Sequence, residues 1–195
     1  MSYCLILILV VLVIWNVQIY LESPEEGVVS VVDGGRYVVK SSYPDSVGAS
    51  DLLARLNAAN TRLIGHLETK YAGTSYGPGV KFLASNYNGD VLQENIPRST
   101  TNTSFVVNKG DVIKLCLRDP TKGGAFHDFD TLMFVNLHEV SHLLDRQYGH
   151  SESFWTGFKF ILTEAKLLGI YNPVNYDKTP VNYCGMVIRG NPYYG

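Results

Sequence analysis

The sequence predicts an α+β domain, because strand and helix signals occupy separate stretches of one chain. Three observations carry that reading. Val-rich arms bracket Asp33-Gly34-Gly35, residues 111–119 alternate between apolar and polar side chains, and helical periodicities run through 50–67, 131–145 and 151–168. A chain of 195 residues is long enough to bury one sizeable core.

The first element is "CLILILVVLVIWNVQIYL" at 4–21, apolar and without charge. Eighteen helical residues span about 27 Å, close to the hydrocarbon thickness of a bilayer. The Met-Ser-Tyr leader carries no basic residue and no small-residue cleavage pattern closes the segment, so it reads as an uncleaved anchor rather than a signal peptide. The expectation is a single-pass membrane protein, with 1–21 as anchor in contact with a lipid bilayer, 22–27 as linker and 28–195 as the folded domain. Orientation stays open, since no Lys or Arg precedes Arg36.

Within the domain, "GVVSVVDGGRYVVKSS" reads as a β-hairpin. Ser50 is a candidate N-cap for a helix whose apolar face is Leu52, Leu56, Ala59, Leu63 and Leu67, with His66 near its end as a solvent-facing or partly packed side chain. Residues 80–108 read as short strands and turns. In 111–119, Ile113, Leu115 and Leu117 form the buried face of a strand, and Lys114, Cys116 and Arg118 the polar one. Asp128 or Asp130 can cap the next helix, which is apolar nearly all round and therefore central. The following helix carries Phe158, Ile161, Leu162, Ala165 and Leu168 on one face and stops at Gly169. The Tyr-, Pro- and Gly-rich tail reads as irregular chain wrapped over the domain.

Composition excludes some classes. With 16 basic against 18 acidic residues and no Lys/Arg run, the chain lacks the electrostatics of a general nucleic-acid binder, so no nucleic-acid partner is expected. Three cysteines make no disulfide framework. Cys4 lies in the apolar segment, and whether Cys116 pairs with Cys184 is open. Asn102 heads a glycosylation sequon that matters only in a secretory lumen.

The chemistry concentrates in "HEVSHLLDRQYGHSESFW", 138–155. His138 and His142 lie one turn apart on one helix face, so both imidazoles can reach one cation. Glu139 projects about 100° away, where it can meet metal-bound water rather than metal. A catalytic zinc takes three protein ligands and keeps one position for water. His150 can supply the third, delivered by a left-handed turn at Gly149, with Glu164 on the next helix as the alternative. Seven residues separate His142 from His150, where the metzincin pattern has five. Asp145 and Glu152 read as supporting or surface groups, and His127 as a loop residue. Tyr171, Tyr176 and Tyr183 are candidates to stabilise an oxyanion.

The strand "IKLCLRD" (113–119), the helix "LHEVSH" (137–142) and the turn "YGHSESFW" (148–155), in that order, resemble the WLM family of zinc metalloproteases, relatives of the SprT-like proteases, over residues 50–170. The resemblance implies a zincin-like α+β fold with a small mixed or antiparallel sheet packed on helices. It implies Zn2+ held by His138, His142 and His150, Glu139 as catalytic base, and a protein or peptide substrate pairing near strand 111–118. The spacing between the second and third histidines is longer than is typical of the family, and no DNA- or ubiquitin-directed tether is visible. The apolar leader and the "NPVNYDKTPVNYCGM" tail resemble small versions from large DNA viruses, which implies a viral membrane or virion setting and virion partners. The expectation is thus a membrane-anchored zinc metalloendopeptidase. The alternative is a non-catalytic membrane or virion structural protein on the same scaffold, against which the intact Glu139 speaks.

Overall fold

The computed structural model describes residue 8 and residues 25–41, 43–97, 103–145 and 147–195. Apart from Ile8, the segment 4–21 read as an anchor lies outside the described residues, as does Asn102. The expectation of a single-pass membrane protein is corrected: among the described residues, no helix is long and apolar enough to cross a membrane.

The two Val-rich arms form β1 (Glu25–Val29) and β2 (Arg36–Lys40), paired antiparallel with Val28 opposite Tyr37. Asp45 then caps helix α1 (Ser46–Tyr71), its Oδ1 accepting from the Gly48 N–H at 3.0 Å. The helix thus begins before the expected cap Ser50, which is buried inside it and donates to the Val28 carbonyl. Leu53, Leu56, Asn60, Leu63 and Leu67 make its buried stripe.

Residues 80–86, expected as strand and turn, belong instead to helix α2 (Gly77–Asn86). Gly77-Pro78-Gly79 has the composition of a loop, but proline in the first turn loses no helical hydrogen bond, and Val80 and Leu83 then find the core. β3 (Leu92–Glu94), β4 (Phe105–Val107) and β5 (Val112–Leu115) complete a mixed sheet in the order β1-β2-β3-β5-β4. β3 runs parallel to both β2 and β5, and β4 closes the sheet antiparallel to β5.

The alternating segment 111–119 is not one strand. β5 ends at Leu115, and Arg118–Asp119 form β6, paired with β7 (Ala125–Phe126). Its apolar face is buried as expected, but Cys116 and Arg118 on the polar face are buried too. Arg118 donates from Nε to Glu94 Oε1 at 2.8 Å and to the carbonyls of Gly124 and Asp45. Its guanidinium lies between the rings of Tyr43 and Phe126. These partners are far apart in sequence, so the alternation alone could not show why an arginine would point inward.

Helix α3 (Phe129–Leu144), capped by Asp128, is buried on nearly every side, and helix α4 (Glu152–Leu167), capped by Ser151, packs beside it. Across the α1–α3 contact, Asn60 and Asn136 exchange side-chain amide hydrogen bonds at 3.0 and 2.7 Å. At the end of α4, the N–H groups of Gly169 and Ile170 return to the carbonyls of Lys166 and Ala165, with Gly169 left-handed at φ 65°. The tail is largely irregular but folds one hairpin, β8 (Val181–Tyr183) and β9 (Met186–Ile188). Its two turn residues, Cys184 and Gly185, both have positive φ, as a type I′ turn requires. A cysteine there accepts a backbone cost of about 1–2 kcal/mol. Its sulfur is joined to that of Cys116 in a disulfide with Cα atoms 6.5 Å apart, which answers the open question of their pairing.

Candidate metal centre and cleft

One turn of α3 separates His138 from His142, and both side chains leave the helix toward α4. At Gly149, φ is 81°, so the chain reverses without a Cβ clash and presents His150 one residue before the Ser151 cap. The three imidazoles converge: ring centroids are 5.1, 4.9 and 5.0 Å apart, and one nitrogen from each ring lies within 4.8 Å of the others. Glu164, the alternative third ligand, is turned away. Its carboxylate faces α1, where it accepts from Lys70 Nζ and the Tyr71 hydroxyl and meets His66 Nε2 at 2.9 Å. His66, expected as a solvent-facing or partly packed side chain rather than a ligand, is half-buried against this carboxylate.

Aromatic packing holds the triad in place. Phe154 stacks on His142 at 4.4 Å, Trp155 on His150 at 5.6 Å, and Phe154 and Phe158 meet the His138 ring edge-on. Among the described residues, the ring nitrogens' one hydrogen-bond contact is internal, His138 Nε2 to His150 Nε2 at 3.0 Å. Burial lowers the pKa of His138 to about 3 and of His142 to about 4, with the neighbouring imidazoles adding to the shift, and lowers that of His150. Three neutral imidazoles with free nitrogens are a donor set that suits zinc, whose tetrahedral nitrogen ligands sit roughly 3.3 Å from one another.

Glu139 lies on the flank of α3, 4 % exposed, with its pKa raised to about 8 by burial. It borders two cavities that meet at the histidines. One of about 690 Å³ is walled by Phe134, Trp155, Phe158, Tyr183 and the 186–192 stretch of the tail. The other, of about 240 Å³, is bordered by Phe105, Val106, Lys109 and Tyr148. Of the tyrosines considered for an oxyanion, Tyr183 borders the cleft and its hydroxyl bonds Ser104 Oγ at 2.7 Å. Tyr171 and Tyr176, as buried as Tyr183, pack against Phe134 and line neither of these cavities. Strand β5 is paired on both sides, so among the described residues the open edge beside it belongs to β4. β4 ends the sheet and faces the smaller cavity.

Two supporting groups hold the loop that carries His150. Asp145 accepts from the Gln147 N–H and from the hydroxyls of Ser151 and Ser153. Lys109, in the β4–β5 turn, donates to the carbonyls of His142, Asp145 and Gln147 at the C-terminal end of α3. Nothing in its own segment signals this role, because the acceptors lie 33 to 38 residues away. Lys109→Met is expected to lower stability by about 1–2 kcal/mol and to weaken metal binding. Urea denaturation and a zinc titration of the variant would check both.

The family description "WLM domain" matches residues 84–179. The chain is 32 % identical over 184 residues to protein R325 of Acanthamoeba polyphaga mimivirus, covering 94 % of this chain and 92 % of that one. It is also 39 % identical over 83 residues to protein 136R of Invertebrate iridescent virus 6, covering 42 % and 44 %. Both relatives are described as uncharacterized, and they assign this chain neither a membrane nor a virion partner. Among solved structures it shares a fold with Wss1 of Saccharomyces cerevisiae, at a TM-score of 0.51 and 21 % identity, over 67 % of this chain and 87 % of that one.

Proposed function

The chain belongs to the WLM family, and from that premise we propose that it is a zinc-dependent metallopeptidase that cleaves internal peptide bonds. The observation that carries this reading is the convergence of three imidazoles, with a nitrogen of each within 4.8 Å of the others, beside a buried carboxyl at the junction of two cavities. His138, His142 and His150 would hold the metal. Bound there, zinc supplies Lewis acidity toward a carbonyl and a lowered pKa for water.

The remaining work belongs to the chain itself. Glu139 takes a proton from water and returns it to the departing amine. Tyr183, positioned by Ser104, is the hydroxyl best placed to donate to the developing oxyanion. An extended peptide segment can add to the free edge of β4 through main-chain hydrogen bonds, which places its backbone across the histidines. Phe154, Trp155 and Phe158 pack against the imidazoles and fix their orientation.

The test uses the full chain. One zinc per chain and hydrolysis of an unfolded protein substrate are expected, both lost in His142→Ala. Because burial disfavours protonation of these imidazoles, zinc should persist well below pH 6.5, the ordinary pKa of histidine. Metal analysis after dialysis from pH 8 to pH 4 would show this. A chain that binds no zinc, or loses none on His142→Ala, refutes the assignment.

A further inference from the structure

The hairpin of β8 and β9 supplies one wall of the larger cavity, yet among the described residues the backbones of its strands pair only with each other. Its links to the rest of the fold are made by side chains. Tyr183 meets Ser104, Thr103 Oγ1 approaches Met186 Sδ at 3.4 Å, and Cys184 is bonded to Cys116 at the end of β5. The disulfide is the covalent link, and the 68-residue interval it spans contains α3, the Gly149 turn and α4. A third group completes the cluster: His127 Nε2 lies 3.2 Å from Cys184 Sγ, and its ring rests on Tyr183.

We propose that Cys116, His127 and Cys184 form a redox modification site that builds the tail wall of the cleft, so that peptide hydrolysis depends on oxidation of this pair. The inference rests on the metallopeptidase reading for its effect on activity. In the reduced chain, the Cys184 thiol gives its proton to His127 Nε2, and the thiolate attacks an external disulfide such as oxidised glutathione. A mixed disulfide forms and one glutathione thiolate leaves. The Cys116 thiolate then attacks Cys184 Sγ and expels the second glutathione thiolate. The two cysteines are oxidised, the glutathione disulfide is reduced, and the two protons lost from the cysteines end on the two glutathione sulfurs.

Both sulfurs are buried, Cys116 at 1 % and Cys184 at 3 % exposure, so the closed bond is shielded from thiols until the hairpin lifts. Oxidation therefore acts as a maturation step rather than a rapid toggle. Opening would release Tyr183 from its place beside Ser104, and with it the stretch from Met186 to Asn191 that faces His138 and Glu139. The metal ligands are anchored independently by the α4 aromatics and Asp145, so their geometry does not need the disulfide.

The full chain contains three cysteines, which makes the state countable. After incubation with oxidised glutathione and denaturation without reductant, one thiol per chain is expected, and three after reduction. The reduced, alkylated chain and Cys116→Ser/Cys184→Ser should each keep one zinc, lose at least ten-fold in kcat/KM on a peptide, and become sensitive to trypsin after Lys178 or Arg189. His127→Ala should reach the same one-thiol state about ten-fold more slowly. Zinc content guards against a misfolded variant, and the alkylated wild type provides the comparison if the double variant fails to fold. Three thiols after oxidation would overturn the proposal. So would unchanged hydrolysis and trypsin resistance on reduction, or a second zinc held by the reduced cysteines. An oxidised chain that binds zinc but cleaves nothing refutes the peptidase reading alone, while the thiol count and trypsin pattern still decide whether the wall depends on the bond.

Discussion

Glu139→Gln is expected to lower peptide hydrolysis about 10²–10⁴-fold, the usual contribution of a positioned general base, while leaving zinc at one per chain. The same substitution should stabilise the metal-free protein. Burial without a charged partner raises the folded pKa of Glu139 to about 8, far above its ordinary 4.5. Between those values the folded state binds the extra proton, so wild-type stability falls as pH rises from 4.5 through 8. Glutamine does not titrate. The variant's advantage should be small at pH 5 and reach roughly 2–4 kcal/mol by pH 8. The depressed histidines act in the opposite sense: stability is lost as pH falls from 6.5 toward about 4 for His142 and about 3 for His138. Both proteins share that loss, so it cancels in the comparison. Urea denaturation of metal-stripped wild type and variant at pH 5 and pH 8 gives the result. Equal differences at the two pH values would show a solvated carboxyl and remove the main support for its role as base.

Glu94→Ala is expected to cost about 3–5 kcal/mol, because it leaves the Arg118 guanidinium buried without its counter-charge. Glu94 is fully buried, with Oε1 on Arg118 Nε and Oε2 on the Lys40 N–H, each at 2.8 Å. One carboxylate thus ties β2, β3 and β6 together, and the arginine extends the tie to the Asp45 carbonyl at the start of α1. Arg118→Lys should be nearly as harmful, since an ammonium cannot span these acceptors or lie between two rings. Replacing both members by methionine should cost less than either single change. Urea midpoints for the two single variants and the double give the coupling directly. Strict additivity would mean the pair makes no energetic contribution of its own.

The parts of the fold that were legible in the sequence are those written in local periodicity. The apolar helix around His138, the Ser151 start of the next helix and the left-handed turn at Gly149 each depend on neighbours within about a turn, and each formed as expected. The histidine convergence was legible for the same reason, since its three members lie within 13 residues. What stayed hidden depends on partners far along the chain. The inward Arg118 needs Glu94 and Asp45, and Lys109 needs carbonyls beyond residue 141. The Cys116–Cys184 bond needs a hairpin 68 residues on. Helix α2 was masked by its opening Gly-Pro-Gly, a composition that suits a helix start as well as a loop.

A helix that is greasy on nearly every side has little reason to prefer one azimuth over another. The Asn60–Asn136 amide pair supplies that reason. Two amides that satisfy each other inside a core do so in a single relative setting, and rolling the helix would strand both in hydrocarbon. Asn136 stands two residues before His138, about 200° around the axis, so it works like a locating pin on the far side of the rod. The aim of the two helical imidazoles is set from behind, by a residue that never touches the cleft.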